Sequence, residues 1–557
     1  MTVFDSSRYR PFSPVPNPNR RWVDRTLTKA PVWASVDLRD GNQALLAPMD
    51  TPKKLRLFGL LVRMGFKEIE VGFPSASTIE FDFVRQLIER DMIPSDVTIQ
   101  VLTQAREDLI IRSFAALKGA KKANMHFYNS VNPAQRIQVF RRDRGGVKEI
   151  AETGARIIRD LATLSPETMW TFQYSPESFS ATEPDFALEV CSAVKEIWEP
   201  EKGQKVILNL PATVEMSTPN VFADQVERFL DQLPGRDGVV VSVHTHNDRG
   251  CAIAAAELAL LAGADRVEGT LFGNGERTGN LDLITMAMNL YSQGVDPNLD
   301  LSFSREILSC YKECTGMPVH PRHPWFGDLV YSASSGSHQD AIRKGMALHR
   351  EHGGFWTVPY LPIDPQDLGW DYTEVVRINS QSGKSGIAHV LKRDYQIELP
   401  PWLWGEFAEL VQAEAERTGV EVAPSRILAL FEEAYLRVPP RWRLSGYAVD
   451  KTEERVHMMV RIGDEGSIKM DGEGSGVVEA LMDGLSNAFT IRAEIVNFSE
   501  HAMSEGTEAK AVAFVKIRSH DSGKPPIAAA SFGRDTTEAV LQAVLTAIAR
   551  LEGIKLG

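Results

Sequence analysis

The run VVVSVHTHNDRG, residues 239–250, continuing as CAIAAAELALLAGADRVEGTLFGNGERTGN, residues 251–280, decides how the rest of the chain is read. Five apolar or small residues, Val239 to Val243, predict a buried parallel strand, with His244 and His246 just past its end. Side chains two apart on an extended backbone point to the same side, so both imidazoles reach one point in space, as metal ligands must. An Ala-rich helix follows, then a second short strand at Arg266 to Leu271, then the loop FGNGERTGN, whose three glycines predict tight turns. HxH by itself most often marks a surface loop with two solvated histidines. Packing, however, seldom asks for His, Asn, Asp, Arg and Glu together at the ends of two apolar strands, so the stretch reads as functional.

The same rhythm extends back to residue 32. Strands are predicted at Val32 to Leu38, Glu68 to Val71, Val97 to Leu102, Lys122 to Phe127, Met169 to Tyr174, Val206 to Leu210, Val239 to Val243 and Arg266 to Leu271. A helix pattern follows each one, often with Pro or an acid in its first turn. Eight β-α units in succession are the mark of a (β/α)8 TIM barrel, whose site lies at the carboxyl ends of the strands; an open doubly wound sheet is the alternative. A barrel would gather Arg39, Asp40, Thr103, His126, Tyr128, Ser175, Glu177, Asn209, Thr213, His244, His246, Glu276, Arg277 and Asn280 into one mouth. One acid, two imidazoles and an amide, without cysteine, suit Mg²⁺ or Mn²⁺, with Zn²⁺ also compatible.

Composition bounds the function class. At 557 residues the chain needs two or three domains, and 43% hydrophobic with 24% charged residues is globular. A formal charge of -13, from 61 basic against 74 acidic residues, argues against nucleic acid and against an anionic membrane surface as partners. No segment approaches the roughly 18 unbroken apolar residues of a membrane span. The start, MTVFDSSRYRPFSPVPNPNRRW, lacks an apolar signal core and reads as an extended arm over 1–31, either laid on another subunit or disordered. Cys191, Cys251, Cys310 and Cys314 show no zinc-type spacing and are expected to be buried, inert thiols in a reducing cytoplasm.

After the barrel, 32–302, the β-α rhythm is lost over 303–440, a linker region with small helical units. From 441 to 557 three strand-like runs, a Gly-rich turn and a helix occur twice, an internal β-β-β-α duplication forming an α+β domain. Its first turn, Gly472-x-Gly474-x-Gly476, could offer backbone N–H groups to a carboxylate, and a structural tight turn is an equal reading.

The motifs LRDGNQ (38–43), HTHND (244–248), GNGERTGN (273–280) and SGSHQDAI (335–342) resemble those of the α-isopropylmalate synthase family, in its longer form with a C-terminal leucine-binding domain. The resemblance implies condensation of acetyl-CoA with 2-oxoisovalerate to 2-isopropylmalate in leucine biosynthesis, with leucine as inhibitor, a homodimer with shared active sites, and a divalent metal, Mg²⁺ first, with K⁺ as activator. It assigns Asp40, His244 and His246 to the metal, with Asn280 at the edge of the site; Arg39 to the enolate and ketone oxygens; Glu177 and Glu276 to catalysis; and Thr213 to the ketoacid carboxylate. Leu102, His126, Tyr128, Ser175 and Asn209 would wall the branched side chain, and His338 and Tyr372 would take part in acetyl-CoA deprotonation. Gly474, Ser475, Gly476, Ala502 and Ala509 would line the effector pocket, where Gly-Ser-Gly-Val replaces the family's Gly-Asn-Gly-Pro turn and implies a weaker response to leucine. A related homocitrate or citramalate synthase, and an amino-acid sensor on a retired barrel, are the competing readings.

Overall fold

The computed structural model describes all residues except 1–3, 13, 199–205, 334, 371–383, 419–421, 453–454, 464–467, 490, 504–509, 521–524 and 554–557; Tyr372 and Ala509 thus lie outside the described residues. The chain forms two compact units, Met1–Val330 with Pro365–Trp370, and Tyr331–Asp364 with Asp371–Gly557.

In the first unit eight parallel strands close on themselves: β1 (Val32–Ser35), β2 (Glu68–Gly72), β3 (Thr98–Gln104), β4 (Lys122–Ser130), β5 (Met169–Glu177), β6 (Val206–Ala212), β7 (Val239–Thr245) and β8 (Arg266–Gly269). Closure is explicit in the register, where Val32 to Ser35 pair with Arg266 to Gly269, so the open-sheet alternative is excluded. β6, VILNLPA, is buried along its whole length, and Asn209 is its one polar side chain. The intervening helices start and stop on local chemistry. The carboxylate of Asp50 accepts the Lys53 N–H to cap Thr51–Met64, and Gly65, at φ +105°, ends it in the left-handed conformation that glycine takes without steric cost.

The ends of β1, β4, β5 and β7 depart from expectation, with consequences for the mouth. β1 stops at Ser35, and Asp37–Gly41 winds into a single π-helical turn in which the N–H groups of Arg39, Asp40 and Gly41 all converge on the Val36 carbonyl. Asp37 holds this turn by accepting from the Leu271 N–H at 3.0 Å and the Ser35 hydroxyl at 2.8 Å. β4 and β5 stay paired as far as Ser130 and Glu177, which puts Tyr128, Ser175 and Glu177 on strands rather than in loops. β7 runs through Thr245, so His244 belongs to the strand and only His246 lies past it.

The proline-rich arm lies on its own barrel. Both carboxylate oxygens of Asp224 accept from Arg20 at 2.6 Å, Trp22 Nε1 adds a third bond to Asp224 at 3.0 Å, and Glu227 accepts from the Asn17 side chain and the Arg21 and Trp22 backbones. Asp224 and Glu227 are buried on the helix Pro219–Gln232, and a buried carboxylate needs such donors to offset its lost hydration. The barrel unit also extends beyond residue 302, through the helix Ser304–Thr315 to Val330.

The second unit contains the helices Gly336–His352, Lys384–Tyr395, Trp404–Thr418 and Pro424–Phe431 and two antiparallel meanders. The first is β9 (Leu444–Lys451), β10 (Val456–Ile462) and β11 (Ile468–Gly474), leading to the helix Val477–Phe489; the second is β12 (Ala493–Ala502), β13 (Ala511–Ser519) and β14 (Ile527–Gly533), leading to Thr536–Gly553. Burial along β10 alternates strictly, as a strand with one face in the core must. β13 is buried on both faces: Ala511, Ala513, Val515 and Ile517 join the core shared by the two repeats, while Val512 and Phe514 pack with the preceding linker helices. The duplication extends to the turns. Ser475 N–H donates to Glu479 and Arg534 N–H to Glu538, each at 2.7 Å and each four residues on. Among the described residues no helix is long and apolar enough to cross a membrane.

Candidate active site in the barrel mouth

Asp40 from the π turn and His244 and His246 from the end of β7 converge, with one ligand atom of each within 4.8 Å of the others and all three side chains buried. Asp40 Oδ2 lies 3.3 Å from His244 Nε2 and 4.0 Å from His246 Nε2. The loop after β8 brings Asn280 alongside, since His246 and Asn280 pair as an isolated backbone bridge. Gly279, at φ +103°, and Gly275 shape that loop, because a Cβ at Gly279 would strike the Gly273 carbonyl and one at Gly275 the Asn280 amide. Asn280 Oδ1 and His246 Nδ1 are buried without a hydrogen-bond partner, an unusual state for polar atoms and one that a bound cation would relieve at the amide oxygen.

Beneath this triad the barrel is filled with polar side chains. His244 Nδ1 meets Glu268 at 3.0 Å, leaving Nε2 to face Asp40. Glu268 also accepts from Gln173 at 2.7 Å, Arg266 at 2.8 Å, Asn209 at 3.1 Å and Gln100 at 3.2 Å. Gln100 reaches across to Glu70, which accepts from Arg39 Nε and lies 2.8 Å from His126 Nδ1. Three buried carboxylates, Asp40, Glu70 and Glu268, thus face the buried Arg266 and the largely buried Arg39, and the carboxylate and two imidazoles of Asp40, His244 and His246 suit a divalent cation. The imidazoles register the same field. Burial disfavours a charged His244, but the hydrogen bonds it donates to Asp40 and Glu268 outweigh that and raise its pKa to about 9; burial and then the charge of His244 lower His246 to about 4.

The other anticipated residues fall around this centre. Arg39 is fixed between Asp40, at 2.9 Å, and Glu70. His126 Nε2 contacts the Ser175 hydroxyl at 2.7 Å, which also accepts from Asn209 at 2.9 Å, while Leu102 sits beside His126 in the strand register. The Tyr128 hydroxyl accepts from Gln104 at 3.2 Å. Thr213 Oγ1 accepts from the Ser178 N–H at 2.9 Å. Glu177 accepts from Ser130, and burial followed by the charge of Glu276 raises its pKa. Glu276 itself is exposed and only 3.4 Å from Gln43 Nε2, whereas its neighbour Arg277 ties Asp248 of HTHND to the Thr213 carbonyl. His338 belongs to the second unit, where it is exposed and stacks on Tyr360 with centroids 4.0 Å apart. Gly474, Ser475, Gly476 and Ala502 lie at the ends of β11 and β12, and both the Ser475 amide and its hydroxyl are bonded to Glu479.

Glu70, Gln100, Asn124, Gln173, Arg266 and Glu268 escaped the sequence reading. Their signal was nonetheless present. EIEV, TIQV, KANM, TFQY and RVEG each carry a polar residue at alternate positions inside an otherwise apolar strand, the period of side chains pointing into a barrel.

Residues 30–310 match the HMGL-like family model, 328–392 the α-isopropylmalate synthase post-catalytic domain, and 421–552 the LeuA allosteric (dimerisation) domain. Among similar proteins are 2-isopropylmalate synthases from Alcanivorax borkumensis, 54% identical over 99% of this chain and 98% of that one, and from Azotobacter vinelandii, 52% identical over 98% and 97%. A hydroxymethylglutaryl-CoA lyase structure from Pseudomonas aeruginosa covers 53% of this chain and 97% of its own, at 18% identity and a TM-score of 0.44.

The interior network generates a stability prediction. Glu268→Gln keeps the shape but removes the charge opposing Arg266, and breaking a buried pair from one side costs about 3–5 kcal/mol. Urea unfolding is expected to show a loss of that order, with part of it recovered in Glu268→Gln/Arg266→Met; a single variant within about 0.5 kcal/mol of the parent would refute the pairing.

Proposed function

The chain belongs to the 2-isopropylmalate synthase family, acyl-transferring enzymes of leucine biosynthesis, and we propose how its own residues divide that work. The reaction joins the methyl carbon of acetyl-CoA to the ketone of 2-oxoisovalerate and hydrolyses the thioester, giving 2-isopropylmalate and CoA. The observation that carries the reading is the convergence of Asp40, His244 and His246 beside a fixed Arg39. A divalent ion held by those three residues and Asn280, Mg²⁺ in this reading, supplies Lewis-acid polarisation of the 2-oxoacid ketone. Arg39, pinned from two sides, presents its guanidinium to the oxygens on which negative charge develops and needs no reorganisation to do so. Thr213 donates its hydroxyl to the ketoacid carboxylate, and Leu102, His126, Tyr128, Ser175 and Asn209 bound the space for the branched side chain. Glu177, whose pKa burial raises, is the carboxyl assigned to proton transfer at the new alkoxide. The four free cysteines fit a reducing cytoplasm.

A panel of 2-oxoacids tests the substrate assignment. CoA release from acetyl-CoA is expected to be fastest with 2-oxoisovalerate; preference for 2-oxoglutarate or pyruvate would move the assignment to a homocitrate or citramalate synthase.

The base that deprotonates the acetyl methyl is assigned to His338, acting in the barrel of a partner chain. The support is its place in a unit separate from the barrel, together with the dimerisation-domain match at 421–552. Asp40→Ala and His338→Ala are each expected to be nearly inactive. In a mixed dimer one site carries both defects and the other neither, so activity returns on subunit exchange. No recovery in dimers shown to be mixed would abandon the shared site.

Leucine is assigned to the second unit, with an attenuated effect. The support is the Ser475 amide, which donates at 2.7 Å to Glu479 of its own helix, so an effector carboxylate meets a competitor there. Glu479→Gln is expected to bind leucine several-fold more tightly in a calorimetric titration, within the ~1–3 kcal/mol typical of coupled sites. Neither heat nor inhibition at millimolar leucine in either chain would sink the assignment.

A further inference from the structure

Cys310 and Cys314 lie one turn apart on the helix Ser304–Thr315, which packs against the helix Thr51–Met64 and whose Tyr311 meets Phe272 of the loop after β8. Their sulfurs are 3.9 Å apart, both residues are buried, and Cys314 Sγ lies 3.5 Å from the Lys53 carbonyl oxygen on the neighbouring helix Thr51–Met64. Nothing in the condensation uses them. We propose that Cys310 and Cys314 form a binding site for a thiophilic d¹⁰ cation, with the Lys53 carbonyl as a third donor and Arg56 offsetting the charge of the two thiolates.

Geometry separates this from the other chemistry open to two thiols. A disulfide needs Cβ atoms about 3.8 Å apart and sulfurs about 2.05 Å apart. Residues four apart on a helix hold their Cβ atoms at about 5–6 Å, so closing the bond would distort the last turn. A shared ion has no such requirement. With each sulfur about 2.3 Å from the ion, 3.9 Å between sulfurs corresponds to an S–ion–S angle of about 116°, close to trigonal, without moving the backbone. The Lys53 oxygen, 3.5 Å from Cys314 Sγ, is the third donor in this assignment. Soft thiolates favour Cu(I) and Zn²⁺, and two sulfurs with one oxygen fall short of the four ligands Zn²⁺ takes, which leaves Cu(I).

The surroundings favour the first deprotonation. The hydrogen bond shared with the Cys314 thiol, and then the Arg56 guanidinium, lower the pKa of Cys310 below that of an ordinary thiol. Cys314 is pushed up by the same sharing, and a coordinated ion reverses that, since a ligating thiol loses its proton outright. Binding is thus Cu⁺ plus two thiols giving a bis-thiolate anion and two protons released to solvent, with no change of oxidation state. Arg56 is held beside the pair by Glu313, and both side chains are about half exposed, so they cover the site without sealing it.

The test uses the full-length protein, anaerobic and reduced, titrated with Cu(I) in competition with a chromophoric Cu(I) chelator. One ion per chain is expected in the parent that Cys310→Ser/Cys314→Ser does not take up, with X-ray absorption showing two sulfur ligands. The exposed Arg56→Gln, whose folding is checked by melting, is expected to bind about tenfold more weakly at neutral pH, because losing an adjacent cation raises a thiol by about one unit or more. Equal uptake by parent and double variant, sulfur-free coordination, or unchanged affinity in Arg56→Gln would each overturn the site.

Discussion

A closed barrel can be filled with Val, Ile and Leu, and this one instead carries the chain Arg39–Glu70–Gln100–Glu268–Arg266 through its interior. That choice constrains everything above it. A buried ion costs several kcal/mol in lost hydration, and the loss is recovered only where every lone pair and proton finds a partner. Each inward position therefore has to match its neighbours across the barrel: Gln100 donates to two acids and accepts from Asn124 and Arg266, and Gln173 donates to Glu268 while accepting from Asn124. Replacing such networks with apolar side chains is often neutral or stabilising, so stability alone does not explain its presence. Its upper rim does. Glu70 orients Arg39 and His126, Glu268 orients His244, and those three side chains face the mouth.

The fold was legible because its determinants are local. Alternation of short apolar runs with amphipathic helices needs only nearest neighbours in sequence, and eight such units admit few closed arrangements. The duplication at the C-terminus was legible for the same reason, since each repeat sets its own turn and helix start. What was not legible depends on distant partners. The π turn at Asp37–Gly41 exists because Asp37 finds the Leu271 amide, 234 positions away in sequence, and the arm settles on the barrel because Asp224 and Glu227 need donors some 200 residues upstream.

The site was half legible. Asp40, His244 and His246 announce themselves as side chains at strand ends, where packing has little use for them. Glu70 and Glu268 sit inside strands whose other residues are apolar, and a buried acid there looks like an edge residue until the strand's partners are known. The side chain of Glu276 is exposed at the mouth, while Arg277 and Asp248 brace that loop.

The second unit raises a different balance of energies. In both repeats the amide at the helix entrance already has a carboxylate, Glu479 or Glu538, from one turn ahead. Such a side-chain cap is worth roughly 1 kcal/mol. An effector carboxylate that replaces it exchanges one anion for another at the same amide, so its net gain there is close to zero, and its affinity has to come from burying its side chain and pairing its ammonium group. Burying a leucine-sized side chain contributes about 1.5–3 kcal/mol. Were leucine to bind at this amide, as proposed above, the internal cap would be small enough to be displaced and would weaken the response to any carboxylate alike, leaving discrimination between amino acids to apolar contacts.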